Sequence, residues 1–294
     1  MMSELNSRVE ELRQDALAKV RSEEYDQALA MYDEALELAS DEEVRELITI
    51  NKAHALIAAD RTGPEVKALP IILMRRRNVH HTVLASYALL YTHRLANETK
   101  RAIFYGQIAL EAANHVDQMF WKLAVLNELG IVYEVDSQFL KAIECFEQAL
   151  TLLATIDDAS QKQFSQAAIY QNLGYNRVLA GDTVEGIRMI ESILDKVQVP
   201  STLSDSYIDL CYGYLDLEQY AKAREYGETG LNLAVEPRQV RNAHYLLGEA
   251  AYKMGDVDAA EHHFEELARF YPQFRHLKSL LFGIDLRSMI NLKL

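Results

Sequence analysis

The sequence predicts an all-α chain: a right-handed α-solenoid of about seven antiparallel helix pairs with a C-terminal capping helix. Three observations predict it. Only 5 prolines and 12 glycines are spread over 294 residues, too few breakers for a many-turned β fold. A small–large–small pattern at helical spacing recurs along the chain. Each copy also has a partner segment upstream that carries a marker of its own.

The pattern first appears in "YDQALAMYDEALEL", at Ala28, Tyr32 and Ala35. A second pair reads less clearly: "VRELITINKAHALIAAD" makes its first helix and "GPEVKALPIILMRR" its second. Pro64 suits the first turn there, whereas Pro70 is expected to kink or shorten the helix. The third copy is "RAIFYGQIALEAA", with Ala102, Gly106 and Ala109. The fourth has Leu129, Gly130 and Tyr133 upstream of Ala142, Phe146 and Ala149. The fifth sets Leu173-Gly174 before Gly186, Ile190 and Ile193. In the sixth, Leu210-Cys211 and Tyr214 precede Ala223, Gly227 and Gly230, and in the seventh Leu247-Gly248 precedes Ala260, Phe264 and Leu267.

Small residues at these points let two helices approach, and the apolar residue four on fills the groove between them. Gly181-Asp182 and Gly255-Asp256 mark turns, because glycine ends one helix and aspartate begins the next. The last segment, "FRHLKSLLFGIDLRSMINLKL", repeats nothing, and Leu277, Leu280, Leu281 and Ile284 give it an amphipathic start. A solenoid needs its final apolar face covered. The expected division is therefore a repeat array over 1–272 and a capping helix or tail over 273–294. The alternative use of Met289, Ile290, Leu292 and Leu294 is docking on another copy of the chain.

The spacing of Leu129, Gly130, Tyr133, Ala142, Phe146 and Ala149, and of Leu247, Gly248, Ala260, Phe264 and Pro272, resembles the tetratricopeptide repeat (TPR) superfamily. The resemblance covers nearly the whole chain and is weakest in the second pair. It departs from the pattern at Arg177 and Ala251, where the first helix normally carries an aromatic. Repeat spacings longer than the minimal one look more like the extended arrays of peptide-responsive bacterial regulators than like short co-chaperone modules.

Composition narrows the chemistry. A formal net charge of −14 repels a phosphate backbone, so direct nucleic-acid binding is not expected. The one basic run, "MRRRNVHH" (Arg75, Arg76, Arg77, His80, His81), reads as a solvated helix end. Cys145 and Cys211 read as buried free thiols. The N-terminus has carboxylates and no apolar core, and no apolar run is long enough to span a membrane. The expected location is the cytoplasm.

No glycine-rich phosphate loop or nucleophile elbow occurs. His80–His81 and His262–His263 are adjacent pairs, which point about 100° apart on a helix and do not chelate one metal. His262 and His263 are expected to be solvated. No catalytic site, metal or cofactor is expected.

The resemblance implies that first helices line an inner groove, and the rotation away from the packing residues selects what faces it. That set is Tyr87 and Tyr91, Asn127 and Glu128, Gln171, Asn172 and Tyr175, Asp209 and Tyr212, and Asn242, Tyr245 and Glu249. Amides both donate to and accept from a peptide backbone, and tyrosines supply contact area at low entropy cost. The carboxylates favour a basic ligand. A carboxylate-clamping mode is discounted, since Asp209, Tyr212 and Glu249 stand where such a clamp needs cations. The expected activity is non-catalytic binding of a peptide or protein segment, basic by preference, as adaptor, assembly factor or regulator. The alternative is a structural protein that self-associates through its C-terminal segment.

Overall fold

The computed structural model describes residues 2–116, 119–155, 159–197 and 199–270, with backbone alone for 2–4 and 159–165. Among these residues fourteen helices succeed one another without a strand. The first members of the pairs are α1 (Met2–Arg21), α3 (Glu42–Ala58), α5 (Val79–Leu95), α7 (Met119–Val135), α9 (Ala159–Leu179), α11 (Pro200–Asp216) and α13 (Pro237–Lys253). The second members are α2 (Tyr25–Leu38), α4 (Pro64–Arg75), α6 (Thr99–Ala113), α8 (Phe139–Leu153), α10 (Thr183–Glu191), α12 (Tyr220–Leu233) and α14 (Val257–Phe270). Two compact units result, Met1–Val132 and Tyr133–Leu294, with the boundary inside α7.

Each unit is a stack of helix pairs. In the first, α1 packs on α2, α3 on α4 and α5 on α6, while α1, α3 and α5 also touch in succession. In the second, α9 pairs with α10, α11 with α12 and α13 with α14, and α9, α11 and α13 lie side by side. The recurring small and large residues sit at these crossings. Ala28, Tyr32 and Ala35 have no exposed surface, nor do Ala142, Phe146 and Ala149. A fully buried phenylalanine such as Phe146 contributes roughly 2–3 kcal/mol by apolar burial.

The glycines in the pattern mark close approach. A Cβ on Gly248 would stand 2.7 Å from the Phe264 ring, and one on Gly174 would lie 2.8 Å from the carbonyl oxygen of Gly186. Distances below 3 Å leave no room for a methyl group.

Within every pair the first helix ends in the same way. One residue turns left-handed: Glu23, Asp60, Asn97, Ser137 and Glu218 do so with φ of 54–61°, and Gly181 and Gly255 with φ of 91° and 79°. The next N–H then reaches back to a helix carbonyl, as from Glu24 to Lys19 at 2.9 Å, Asp182 to Arg177 at 2.8 Å and Asp256 to Ala251 at 3.0 Å. This closure satisfies carbonyls that the helix end leaves open. The two Gly-Asp turns are as the sequence predicts, and five more use no glycine.

The second pair keeps its place in the stack. Helix α4 is the shortest of the first unit and runs unbroken through Pro70. In the basic run after it, Arg75, Arg76 and Arg77 are exposed and His80 is half-buried. Arg76 closes α4 in the left-handed region, and the Asn78 side chain caps α5 by accepting from the N–H groups of His80 and His81. His81 is buried against Glu46, and Arg77 pairs with Glu42 at 2.6 Å. One correction follows: His81 turns inward from the run, its Nδ1 2.9 Å from Glu46 Oε1 on α3. The expected capping helix or tail over 273–294, and Pro272, lie outside the described residues.

Candidate functional site

The first unit places its groove candidates on α5 and α7. Tyr87 is half-buried, stacked on His54 at 6.0 Å between ring centroids and edge-on to Trp121 at 5.7 Å. The Nε2–H of His54 donates to the Leu84 carbonyl at 3.0 Å, so this imidazole is a packed wall. Burial lowers its pKa against the opposing effect of that hydrogen bond. Burial likewise pushes the Tyr87 hydroxyl up.

Beside it, the Arg94 guanidinium lies 4.8 Å from the centre of the Tyr91 ring. The same arginine donates from Nε to Glu128 Oε2 at 2.8 Å. Burial raises the Glu128 pKa, and Arg94 works in the opposite sense. Tyr91, Asn127 and Glu128 are all half-buried.

In the second unit the candidates fall along the seam where α9, α11 and α13 meet. Gln171 Nε2 donates to Asp209 Oδ2 at 3.1 Å, both side chains being buried. Tyr175, with no exposed surface, meets Tyr212 edge-on at 5.9 Å. On α13, Asn242, Tyr245 and Glu249 are buried. Asn172 is half-buried, and its carbonyl accepts from the Asn176 amide at 2.8 Å.

Two participants escape a reading by helical rotation. Asn176 is fully buried, and its amide also donates to Glu134 Oε2 at 2.6 Å. Arg238 Nη2 donates to Asp205 Oδ2 at 2.9 Å from the neighbouring first helix. Burial opposes the charge of Arg238, yet the Asp205 contact carries its pKa upward. The signal that finds such pairs is opposite charge one repeat apart: 33 residues separate Arg238 from Asp205, and 34 separate Arg94 from Glu128.

The second unit's histidines depart in part from expectation. His262 is exposed, but His263 is half-buried with its Nδ1 3.0 Å from Nδ1 of His244. Among the described residues no group of three or more metal-ligating side chains converges, and no helix is long and apolar enough to cross a membrane. Cys145 and Cys211 are buried free thiols, and burial, with Glu144 nearby, pushes the Cys145 thiol up to about 12.

Helix pairs with small residues at every crossing and a seam of first helices define an all-α helix-repeat protein. Sequence and structural comparisons agree on which. The tetratricopeptide repeat model matches residues 241–274, and no curated protein sequence matches. The apo form of RapI superposes with a TM-score of 0.70 at 12% identity, covering 96% of this chain and 83% of that one. A Rap protein complexed with competence and sporulation factor gives 0.70 at 15% identity, covering 98% and 79%. NprR in complex with its cognate peptide NprX gives 0.69 at 15% identity, covering 96% and 84%. At such identities the likeness establishes the fold alone. The chain has the fold of a tetratricopeptide-repeat array, and its residues 241–274 match the repeat itself.

Proposed function

We propose that this chain is a non-catalytic cytoplasmic binding protein that holds a peptide or an extended protein segment against its first helices. The observation that carries this reading is the seam of α9, α11 and α13. There Gln171–Asp209, Tyr175–Tyr212 and Asp205–Arg238 join three consecutive helices through polar or aromatic contacts. Side chains locked by such contacts present a preorganised surface, which lowers the entropy cost of binding. The Rap and NprR complexes have the same fold and hold competence and sporulation factor and the peptide NprX, respectively.

On this reading, burial separates contacting from supporting residues within each unit. Half-buried Asn172 is the contact residue proposed for the second unit, and half-buried Tyr87, Tyr91, Asn127 and Glu128 are those proposed for the first. Within the second unit, the buried Gln171, Tyr175, Asp209, Tyr212, Asn242, Tyr245 and Glu249 form the layer that positions Asn172. A basic ligand is favoured by the acidic balance of the chain, at −14, and is moderated by Arg94 and Arg238, which already engage Glu128 and Asp205.

Selection of a displayed random-peptide library on the purified chain tests the proposal. Enriched peptides should bind saturably, and Asn127→Ala or Asn172→Ala should weaken them with the thermal midpoint nearly unchanged. A library that yields no binder would end this reading. Unfolding by either substitution would instead make that asparagine structural.

A further inference from the structure

Four aromatic rings follow one another across the first helices of the first unit. His54 on α3 stacks on Tyr87 of α5, with 6.0 Å between centroids and 12° between planes. Trp121 of α7 meets Tyr87 edge-on at 5.7 Å, and Phe120 meets Trp121 edge-on at 5.4 Å. Tyr87 and Trp121 are half-buried, and Phe120 is 56% exposed. A lone exposed apolar residue needs no explanation, but a continuous aromatic row marks a surface that something covers.

The polar groups of the row define what can cover it. The Tyr87 hydroxyl and the Trp121 indole N–H have no hydrogen-bond partner among the described residues, and neither is an enclosed atom, so both are open to solvent. Glu128, whose charge reaches the Tyr87 hydroxyl, already pairs with Arg94 at 2.8 Å. A ligand lying on the row therefore meets two donors rather than an unpaired charge. It must bring acceptors for the donors it covers, because a buried donor without a partner costs its full desolvation.

A proline stretch has this chemistry. Its rings are apolar, its carbonyls accept, and it has no N–H of its own to leave unpaired against the aromatic surface. It is also preformed as a polyproline II helix, so docking orders little that was free. An aliphatic or aromatic side chain alone would cover the rings but offer the two donors nothing. We propose that Tyr87, Trp121 and Phe120 bind a proline-rich stretch of the partner. The Tyr87 hydroxyl and Trp121 Nε1–H donate to its carbonyls, and His54, anchored on the Leu84 carbonyl, holds the Tyr87 ring in place. This inference rests on the peptide-binding reading and names the chemistry of the bound segment.

Trp121 is the single tryptophan of the chain, so its fluorescence reads the site directly. Titration of the full chain with N-acetyl-hexaproline amide should shift the emission saturably to shorter wavelength, as proline rings displace water from the indole. Tyr87→Ala should weaken binding about tenfold or more, and Tyr87→Phe, which loses the hydroxyl alone, about threefold. N-acetyl-hexaalanine amide, which keeps an N–H at every residue, should bind at least about tenfold more weakly than the proline peptide. Failure of the proline peptide to saturate at millimolar concentration overturns the proposal, as does equal binding of the alanine peptide. Phe120 lies mostly in solvent, so Phe120→Ala remains a fair test even where Tyr87→Ala fails to fold, and unchanged affinity in it also overturns the proposal. Library peptides that bind without proline and leave the Trp121 emission unchanged would overturn this inference and leave the peptide-binding reading standing, whereas a library with no binder ends both.

Discussion

The Nδ1 atoms of His244 and His263 face each other at 3.0 Å across the contact between α13 and α14. One ring must donate and the other accept, so at least the accepting ring is neutral. Burial, then His244 and His262, holds His263 down to about 4, and burial and His262 also lower His244. Glu266 opposes the shift at both rings and Asp256 at His263, while Arg269 reinforces it at His244. A folded pKa below the ordinary value near 6.5 means that the unfolded chain binds more protons in between. The stabilisation is complete above 6.5 and is lost as pH falls toward about 4. Thermal midpoints measured across that window should fall on acidification, and His263→Gln should flatten the dependence. An unchanged slope in the variant would place the acid sensitivity elsewhere.

The helix crossings give a second test. A Cβ on Gly186 would stand 2.9 Å from the Val178 backbone nitrogen and closer still to the Gly174 carbonyl oxygen. These are backbone atoms, so relief requires α9 and α10 to separate. Gly186→Ala should destabilise by about 2–3 kcal/mol, overcoming the roughly 1 kcal/mol that alanine gains in a helix. The urea midpoint reads this directly, and an unshifted midpoint would mean that the crossing is looser than described.

Such crossings were legible because they recur at fixed offsets, and Gly186, Ile190, Phe146 and Phe264 lie where the pattern puts them. The pairing of long polar side chains was not legible in the same way. Helical rotation says which face Asp205 or Glu128 occupies, but not that Arg238 or Arg94, on an adjacent first helix, reaches across to it. It equally leaves open that His81 turns inward to Glu46, because the attraction acts between elements 35 residues apart. The candidate tyrosines illustrate the same limit: periodicity groups Tyr87 with Tyr175, whereas packing leaves one half-buried and the other wholly enclosed.

The repeated turns yield a stabilising substitution. Glu218 adopts φ of 57° at an exposed position, the conformation that Gly181 and Gly255 occupy in their own pairs. The left-handed region costs an L-residue roughly 1–2 kcal/mol and glycine little. Part of that gain is offset by the greater freedom of glycine in the unfolded chain. Glu218→Gly should therefore raise stability by about 0.5–1 kcal/mol, and Gly255→Ala should lower it. Equilibrium denaturation of both variants checks the sign, and a destabilised Glu218→Gly would contradict the turn geometry.

The Arg94–Glu128 pair tests how the face of the first unit is held. Its side chains are 24% and 12% exposed, so breaking the pair leaves a carboxylate in a poorly solvated place. Removing one partner of a buried pair costs about 3–5 kcal/mol, and partial exposure reduces this to about 2–3 kcal/mol for Arg94→Leu. Without Arg94 the Glu128 pKa, already raised by burial, should climb further, and the variant should lose less stability at acid than at neutral pH. Replacing both residues with leucine removes the stranded charge and should recover most of the loss. A double-mutant cycle measures the coupling. Additive single losses would show that the contact contributes nothing, and that Tyr91 is held in place without the guanidinium above its ring.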